Sequence, residues 1–324
     1  MNGGPTMIEA DFPSTLPAFL DRFGDEGQCR DYLARQKWPD GFRCRTCNGD
    51  RAHYLPSRKT FECAACGHQE SLIAGTMFQQ TKKPLREWFL AIFYVSASKG
   101  GVSAAELQRL LGMGSYQTAW SWLHKIRQAM VHPRRRPLSG EVEIDESYLG
   151  APQCGKRGRG AAGKTIVAGA VEKRGKGLGR VRLGVLENVR AETLKAFLSA
   201  GVSPTTTAHT DGWRGYSKLD RSGYRHVVSV IHGSGADGVA HLPRVHLVFS
   251  LLKRWLLGTH HGAVSTKHLP AYLEEYTFRF NRRAAKSITH RFQRVVEQAV
   301  MASPKPYWEI VGRTAPTHPL QLAA

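Results

Sequence analysis

Carboxylates alternate with apolar residues in one short stretch of the chain, Gly140-Glu-Val-Glu-Ile-Asp-Glu-Ser-Tyr-Leu-Gly150. Successive side chains of a β-strand point to opposite faces, so Glu141, Glu143 and Asp145 share one face and the apolar residues between them share the other. A row of carboxylates on a half-buried strand is unfavourable unless bound cations or solvent offset the repulsion. The stretch therefore predicts either a cation site or a solvated face.

A second acid and a histidine lie where they could join the first acid. The segment Thr205-Thr-Thr-Ala-His-Thr-Asp-Gly212 predicts a strand that ends in Asp211, because β-branched residues precede an Asp-Gly turn. The segment 242–258 predicts a helix with Pro at its start, on which His246 and Lys253 lie two turns apart on one face. Two acids on strands and a third group on a following helix are the layout of the RNase H-like polynucleotidyl transferases.

Four cysteines form two Cys-x-x-Cys pairs, Cys44 with Cys47 and Cys63 with Cys66. This spacing is typical of a structural zinc ribbon, in which each pair offers two thiolates to one tetrahedral Zn²⁺. Four unliganded cysteines or a redox dithiol are the alternatives, but neither requires two matched pairs. Because few apolar residues lie between the pairs, we expect zinc to stabilise this module directly.

Two helices joined by a glycine-bearing turn follow the cysteines. Ser103 and Glu106 have capping-box spacing before the first helix, and Gly112 begins the turn. The second helix is expected to bury an apolar stripe and to display four polar residues, Gln117, Ser121, Lys125 and Gln128. This pattern predicts a helix-turn-helix that reads a DNA major groove, although a plain helical hairpin would show the same stripe.

A basic, proline-bounded segment forms the clearest domain boundary, His132-Pro-Arg-Arg-Arg-Pro137. Two prolines break the helix, and Arg134, Arg135 and Arg136 cannot be buried together. The segment is either a solvated linker or a linker whose arginines contact DNA phosphates.

The amino-acid composition indicates what kind of partner the protein binds and in which cellular compartment it acts. The 324 residues carry a formal net charge of +20, which would self-repel in a compact state and indicates a polyanionic partner. Nucleic acid is favoured over an anionic membrane. There is no apolar run of about 18 residues for a transmembrane helix and no pattern of a secretory signal. We therefore expect a cytoplasmic protein on the nucleoid, whose cysteines are not structural disulfides.

Four longer segments of the sequence are similar to one protein family. Glu143-Ile-Asp-Glu-Ser-Tyr-Leu-Gly150, Thr210-Asp-Gly-Trp-Arg-Gly-Tyr216, Leu252-Lys-Arg-Trp-Leu-Leu-Gly-Thr-His260 and Phe278-Arg-Phe-Asn-Arg-Arg283 resemble the zinc-ribbon, ISXO-like group of DDE-class insertion-sequence transposases. With the cysteine pairs, the resemblance covers nearly the whole chain. One position departs from most DDE enzymes, which have Glu where this chain has His246.

The resemblance implies a bacterial DNA transposase with an α/β, RNase H-like mixed-sheet catalytic domain, preceded by a zinc ribbon and a helix-turn-helix domain. Asp145, Asp211 and His246 would hold two divalent cations, Mg²⁺ or Mn²⁺, with Glu143 and Lys253 in supporting roles. The partners would be double-stranded DNA, both transposon ends and target, and at least one further copy of the chain. No membrane partner is expected.

The expected domains are an N-terminal helical segment (1–37), the zinc ribbon (38–74), the helix-turn-helix domain (80–132), the catalytic domain (140–302) and an irregular tail (303–324). Within the catalytic domain, Glu274 and Glu275 are alternative third acids. Two other functions stay open: a DNA-binding protein inactivated by His246, and a nuclease of the same fold that cuts DNA but joins nothing.

Overall fold

The computed structural model describes residues 13–132, 134–150, 164–229, 242–262, 264–285 and 288–313. The chain divides into two compact units, Met1–His132 with Ala285–Ala324, and Pro133–Ala284. None of the helices within the described ranges has the length and apolarity needed to cross a lipid bilayer.

In chain order the helices are α1 (Leu16–Phe23), α2 (Glu26–Lys37), α3 (Leu85–Ala97), α4 (Ala104–Leu110), α5 (Tyr116–Ala129), α6 (Ala191–Gly201), α7 (Pro243–His260), α8 (Leu269–Asn281), α9 (Ile288–Met301) and α10 (Tyr307–Ile310). The strands are β1 (Ala52–Leu55), β2 (Thr60–Cys63), β3 (Gln69–Ser71), β4 (Glu141–Leu149), β5 (Thr165–Arg174), β6 (Gly177–Leu186), β7 (Thr207–Thr210) and β8 (Arg225–Val228). Two short 3₁₀ turns, Arg214–Tyr216 and Asp220–Ser222, lie between β7 and β8.

The first unit contains a small three-stranded antiparallel sheet, β1-β2-β3, beside a helical core. Lys37, the last residue of α2, joins the two parts. Its ammonium group donates hydrogen bonds to the carbonyls of Ser71, Leu72 and Ala74 at 3.0–3.1 Å and pairs with the buried carboxylate of Glu70. The sheet is therefore fixed to the end of α2.

Helix α9 completes the core of this first unit, although it lies far along the chain. Phe292 is fully buried, and its ring centroid lies 5.4–5.8 Å from those of Phe19, Phe23 and Phe89. The sequence placed this helix in the catalytic domain 140–302, and that boundary is wrong. An amphipathic stripe must be buried, but the stripe does not specify which domain covers it.

The second unit is a five-stranded mixed sheet in the order β6-β5-β4-β7-β8. Strand β4 is antiparallel to β5 and parallel to β7, and β7 is parallel to β8. Helices α7 and α8 pack on one face, and α6 packs on the other. The second unit thus runs as three strands, a helix, two strands and two helices, and its mixed sheet confirms the predicted RNase H-like fold.

Strand β4 has the predicted alternation. Val142 and Ile144 are fully buried in the core beneath α6. Glu143 and Asp145 lie on the opposite face, where both contact α7. Glu143 and Asp145 therefore face a helix, whereas Glu141 is exposed and pairs with Lys173.

Candidate active site

Asp145 and His246 are in direct contact. The Nε2 atom of His246 lies 2.9 Å from Oδ2 of Asp145. The side chain of Asp145 is 13% exposed, whereas that of His246, in the second turn of α7, is 49% exposed. One partner is thus held in the sheet, and the other lies at the surface.

Asp211 is brought level with Asp145 by the parallel pairing of their strands. Glu143 of β4 pairs with His209 of β7, so Asp145 and Asp211 each lie two residues further along neighbouring parallel strands. The carboxyl ends of parallel strands meet at one edge of a sheet, which is where ligands bind in α/β folds. The backbone N–H of Trp213 donates to Oδ1 of Asp211 at 3.0 Å and orients this carboxylate.

The electrostatics of this edge favour a bound cation. Burial, together with the carboxylates of Glu146 and Asp211, raises the pKa of Asp145 to about 6. Hydrogen bonds from the Glu146 N–H and from His246 offset part of this effect. Because several carboxylates disfavour each other's ionisation here, a divalent cation would relieve the repulsion.

The donor set fits divalent cations by its chemistry, because carboxylate and imidazole groups are ligands of Mg²⁺ and Mn²⁺. Nε2 of His246 and Oδ2 of Asp145, 2.9 Å apart, are hydrogen-bonded to each other. The ligand atoms of Asp145, Asp211 and His246 do not all lie within 4.8 Å of one another, so one cation held by all three would require the side chains to move closer together.

The other acids that the sequence singled out have different partners. Glu143 is buried and accepts hydrogen bonds from the first turn of α7. Glu274 pairs with Arg135, and Glu275 pairs with Arg279. Each of these two acids already binds an arginine, which disfavours both as alternative third acids. Lys253 is exposed on α7, on the same face as His246.

Three further residues shape the site without having been singled out by the sequence. The hydroxyl of Tyr216, fully buried, donates to Oε2 of Glu146 at 2.8 Å. Gly169 pairs with Asp145, and a Cβ there would come within 2.8 Å of the Phe249 ring on α7. A lone glycine in an apolar strand could have signalled this close approach. Arg244 binds Glu143, a pairing that no local pattern indicates.

The four predicted cysteines come together in the first unit. The Sγ atoms of Cys44 and Cys66 are 3.6 Å apart, those of Cys47 and Cys63 are 3.5 Å apart, and all four lie within 4.8 Å of one another. Thiolates around a tetrahedral zinc ion at about 2.3 Å are about 3.8 Å apart, so the set fits Zn²⁺. Hydrogen bonds from the backbone of Cys47 and Thr46 lower the pKa of Cys44 to about 6, despite partial desolvation.

Comparison with known proteins identifies two domains of the chain. Residues 137–281 match a family model described as an ISXO2-like transposase domain, and residues 24–69 match one described as a transposase zinc-ribbon domain. The chain therefore contains an ISXO2-like transposase domain and a transposase zinc ribbon. The first match contains both acids and His246, and the second contains all four cysteines.

A protein of the transposable element ISH50 of Halobacterium salinarum is similar to this transposase. The two are 27% identical over 278 residues, which are 80% of this chain and 92% of the relative. The similarity therefore extends over nearly the full length of the relative and includes both units.

Helix α5 is the second helix of the predicted helix-turn-helix. Its polar side chains are less exposed to solvent than expected. Gln117 is exposed in its first turn, but Ser121 is buried, which corrects the prediction that it faces outward. Burial lowers the pKa of Lys125, and the side-chain amide of Gln128 donates to the carbonyl of Ser303. The reason is that α9 and α10 pack against α5.

The linker arginines of the transposase also have structural contacts. Arg135 forms two hydrogen bonds with Glu274, and the carbonyl of Arg136 accepts from both Arg180 and Arg182. The linker is thus attached to the second unit rather than solvated throughout. A cleft of about 580 Å³ opens beside it, lined by Arg136, Pro137, Ser139, Glu172, Lys173, Arg174 and Arg180.

Proposed function

We propose that this transposase binds the terminal inverted repeats of its element, cuts the ends and joins the 3′ ends to target DNA. The observation that supports this proposal is the meeting of Asp145, Asp211 and His246 at one edge of the sheet. Half-exposed His246 keeps that edge open to a polymer too large for an enclosed pocket.

Two divalent cations would supply the Lewis acidity that activates an attacking oxygen and stabilises a leaving oxygen. Asp145, Asp211 and His246 would hold these cations. Strand β4 keeps the carboxylate of Asp145 in place, and the N–H of Trp213 orients that of Asp211. The low exposure of Asp145 strengthens its charge interactions, whereas Asp211 is exposed to water. Mg²⁺ and Mn²⁺ are the candidate ions.

Two phosphoryl transfers would follow at this one site. In the first, a water oxygen bonds to phosphorus and the bond to the 3′ oxygen breaks, which leaves a 3′ hydroxyl on the element and a 5′ phosphate on the flank. In the second, that 3′ hydroxyl attacks a target phosphodiester and loses its proton. The 3′ oxygen of the target leaves and becomes a new hydroxyl.

DNA binding would be shared between the units. Gln117 lies in the first turn of α5, the part of a recognition helix that contacts bases. Lys253, Arg134 and Arg136 would contact backbone phosphates, as would the cleft beside the linker. Two ends have to be held together, so we infer at least a dimer on DNA, acting on the nucleoid in the cytoplasm.

A strand-transfer assay tests the proposal. Purified protein, labelled terminal-repeat DNA and Mg²⁺ or Mn²⁺ should yield both cut ends and joined products. Asp145→Asn should abolish both reactions while it leaves DNA affinity unchanged, because it removes a cation ligand without changing side-chain size. Glu187→Gln is the matched control, since Glu187 is an exposed acid of the same unit.

The result also separates the alternatives. Binding without products would identify an inactive DNA-binding protein, and cut ends without joined products would identify a nuclease. Equal activity of Asp145→Asn and wild type would contradict the assignment of Asp145 as a cation ligand.

A further inference from the structure

Glu143 caps a helix that belongs to another part of the chain. Its buried Oε2 atom accepts hydrogen bonds from the backbone N–H groups of Arg244 at 2.7 Å and Val245 at 3.1 Å. These are the second and third residues of α7, the positions that an N-cap side chain normally satisfies. Leu242, at the N-cap itself, makes no side-chain cap. A strand residue therefore provides the cap.

Arg244 extends this contact to a third element. Its Nη1 donates to Oε1 of Glu143 at 2.8 Å, while Nε and Nη2 donate to the carbonyls of Gly177 at 3.1 Å and Gly175 at 2.8 Å. The two glycines flank the turn between β5 and β6. The start of α7 is consequently fixed to both β4 and the neighbouring hairpin.

The same strand and the same helix meet a second time at the candidate active site. Asp145 lies two residues beyond Glu143 on β4, about 7 Å along the strand. His246 lies two residues beyond Arg244 on α7, about 3 Å along the helix axis. Because both elements are rigid over so short a distance, the first contact determines where the imidazole of His246 lies relative to Asp145.

We propose that Glu143 and Arg244 are positioning residues, which hold α7 so that His246 and Asp145 reach the same divalent cation. The proposal rests on the proposed function, in which that cation is catalytic. Neither residue needs to contact the cation or the DNA. Loss of the Glu143 carboxylate would leave two N–H groups and a guanidinium without their acceptor and would free the first turn of α7.

The chain offers a matched control for this role. Glu172 is also buried, accepts from the backbone N–H groups of Ser139 at 2.9 Å and Arg180 at 3.1 Å, and binds the Arg180 guanidinium. These partners lie on β6 and in the segment before β4 rather than on α7. Glu172→Gln therefore removes a similar set of bonds without acting on His246.

The first measurement is Mn²⁺ binding to full-length, zinc-loaded protein by calorimetry, with Asp145→Asn defining the component that belongs to the site. Glu143→Gln should weaken that component roughly tenfold or more, as loss of residues that orient metal ligands does. Glu172→Gln should leave it unchanged even though it lowers the thermal midpoint. Arg244→Lys keeps the positive charge beside Glu143 and should weaken Mn²⁺ binding less than Glu143→Gln does. This variant still tests the proposal if Glu143→Gln folds poorly.

A second measurement needs no metal. The rate at which diethyl pyrocarbonate modifies His246, followed by mass spectrometry, should rise in Glu143→Gln and not in Glu172→Gln, because the imidazole leaves Asp145. Equal rates in wild type and both variants would overturn the positioning role. Altered rates in a protein that shows no Asp145-dependent Mn²⁺ binding would uphold the role and contradict the catalytic cation of the proposed function.

Discussion

A neutral imidazole at position 246 reduces the negative charge of the site by one relative to a third carboxylate. The two acids and His246 carry at most two negative charges, and nitrogen ligands suit Mn²⁺ better than Mg²⁺. The 2.9 Å hydrogen bond from His246 also stabilises the ionised form of Asp145, which burial disfavours. We therefore expect His246 to bind a cation more weakly than a carboxylate would, but to stabilise Asp145 when no cation is bound.

Substitution of His246 by Glu tests how the charge at this position affects the use of Mg²⁺ and Mn²⁺. In His246→Glu, a third carboxylate would lie beside Asp145 and Asp211, so Mg²⁺ should support cleavage better than it does in wild type. Wild type should be more active in Mn²⁺ than in Mg²⁺. Initial cleavage rates over a titration of each metal give the comparison. If His246→Glu were no faster than wild type in Mg²⁺, the charge argument would fail.

Sequence spacing was sufficient to find the candidate site residues but not their supports. Asp145 and Asp211 stand out because each lies on a strand with a simple alternating or β-branched pattern. Glu143 was correctly placed on the face of Asp145, but its partner Arg244 is remote in sequence and unmarked by any local pattern. Glu146 points to the other face, yet its charge raises the pKa of Asp145. Interactions such as these, which depend on the three-dimensional arrangement of side chains, cannot be predicted from strand periodicity.

At the scale of elements, α9 shows how a stripe can be predicted correctly and assigned to the wrong neighbour. Its apolar residues at helical spacing, Phe292, Val295, Val296 and Ala299, are all fully buried. The backbone N–H of Met77 also donates to the carbonyl of Ala299 at 2.9 Å. The first unit thus depends on a helix that follows the whole catalytic domain in sequence.

The consequence is a testable long-range effect of one substitution. Phe292→Ala should destabilise the first unit by about 3–5 kcal/mol, the usual loss for a buried aromatic side chain. Met301→Ala, on the exposed side of the same helix, should change stability by less than about 0.5 kcal/mol. Urea unfolding followed by circular dichroism gives the free energies. Limited proteolysis should then cleave residues 13–132 first. Equal stability of the two variants would contradict the role of α9.

The zinc ribbon makes a second prediction at this scale. Strands β1–β3 are only three or four residues long, so four thiolates around Zn²⁺ must supply much of their stability. A strong chelator should release one zinc ion and unfold this sheet, whereas the second unit keeps its structure. Zinc release can be followed with a colorimetric indicator and amide exchange with mass spectrometry. Unchanged exchange in residues 44–71 after zinc loss would refute the prediction.

For the whole molecule, composition and motif order gave the sequence of domains, since each domain carries a local signal of its own. The cysteine pairs and the capping box at Ser103 both lie in the first compact unit, and the acid strand lies in the second. Ser103 and Glu106 do form that capping box. The attachment of the basic linker to the second unit depends on Arg180 and Arg182, which are distant in sequence and belong to an ordinary strand.

The net charge of +20 makes DNA affinity depend steeply on salt, because each neutralised phosphate releases condensed counterions. Within the second unit, the cleft beside the linker concentrates this charge. Its carboxylate, Glu172, is already bound by Arg180, and Lys173 pairs with Glu141. Arg174 is exposed at the rim of the cleft, so it is the cation best placed to receive a phosphate.

Substitution of Arg174 should therefore remove one phosphate contact. In Arg174→Ala, the slope of log K against log salt for double-stranded DNA should become shallower by about 0.9, with a uniform loss of affinity across sequences. Lys195→Ala removes the same charge from the exposed side of α6 and should leave the slope unchanged. Fluorescence anisotropy over a range of salt concentrations gives both slopes. If the two variants shifted the slope equally, net charge rather than the cleft would account for binding, because a diffuse field does not distinguish one surface cation from another.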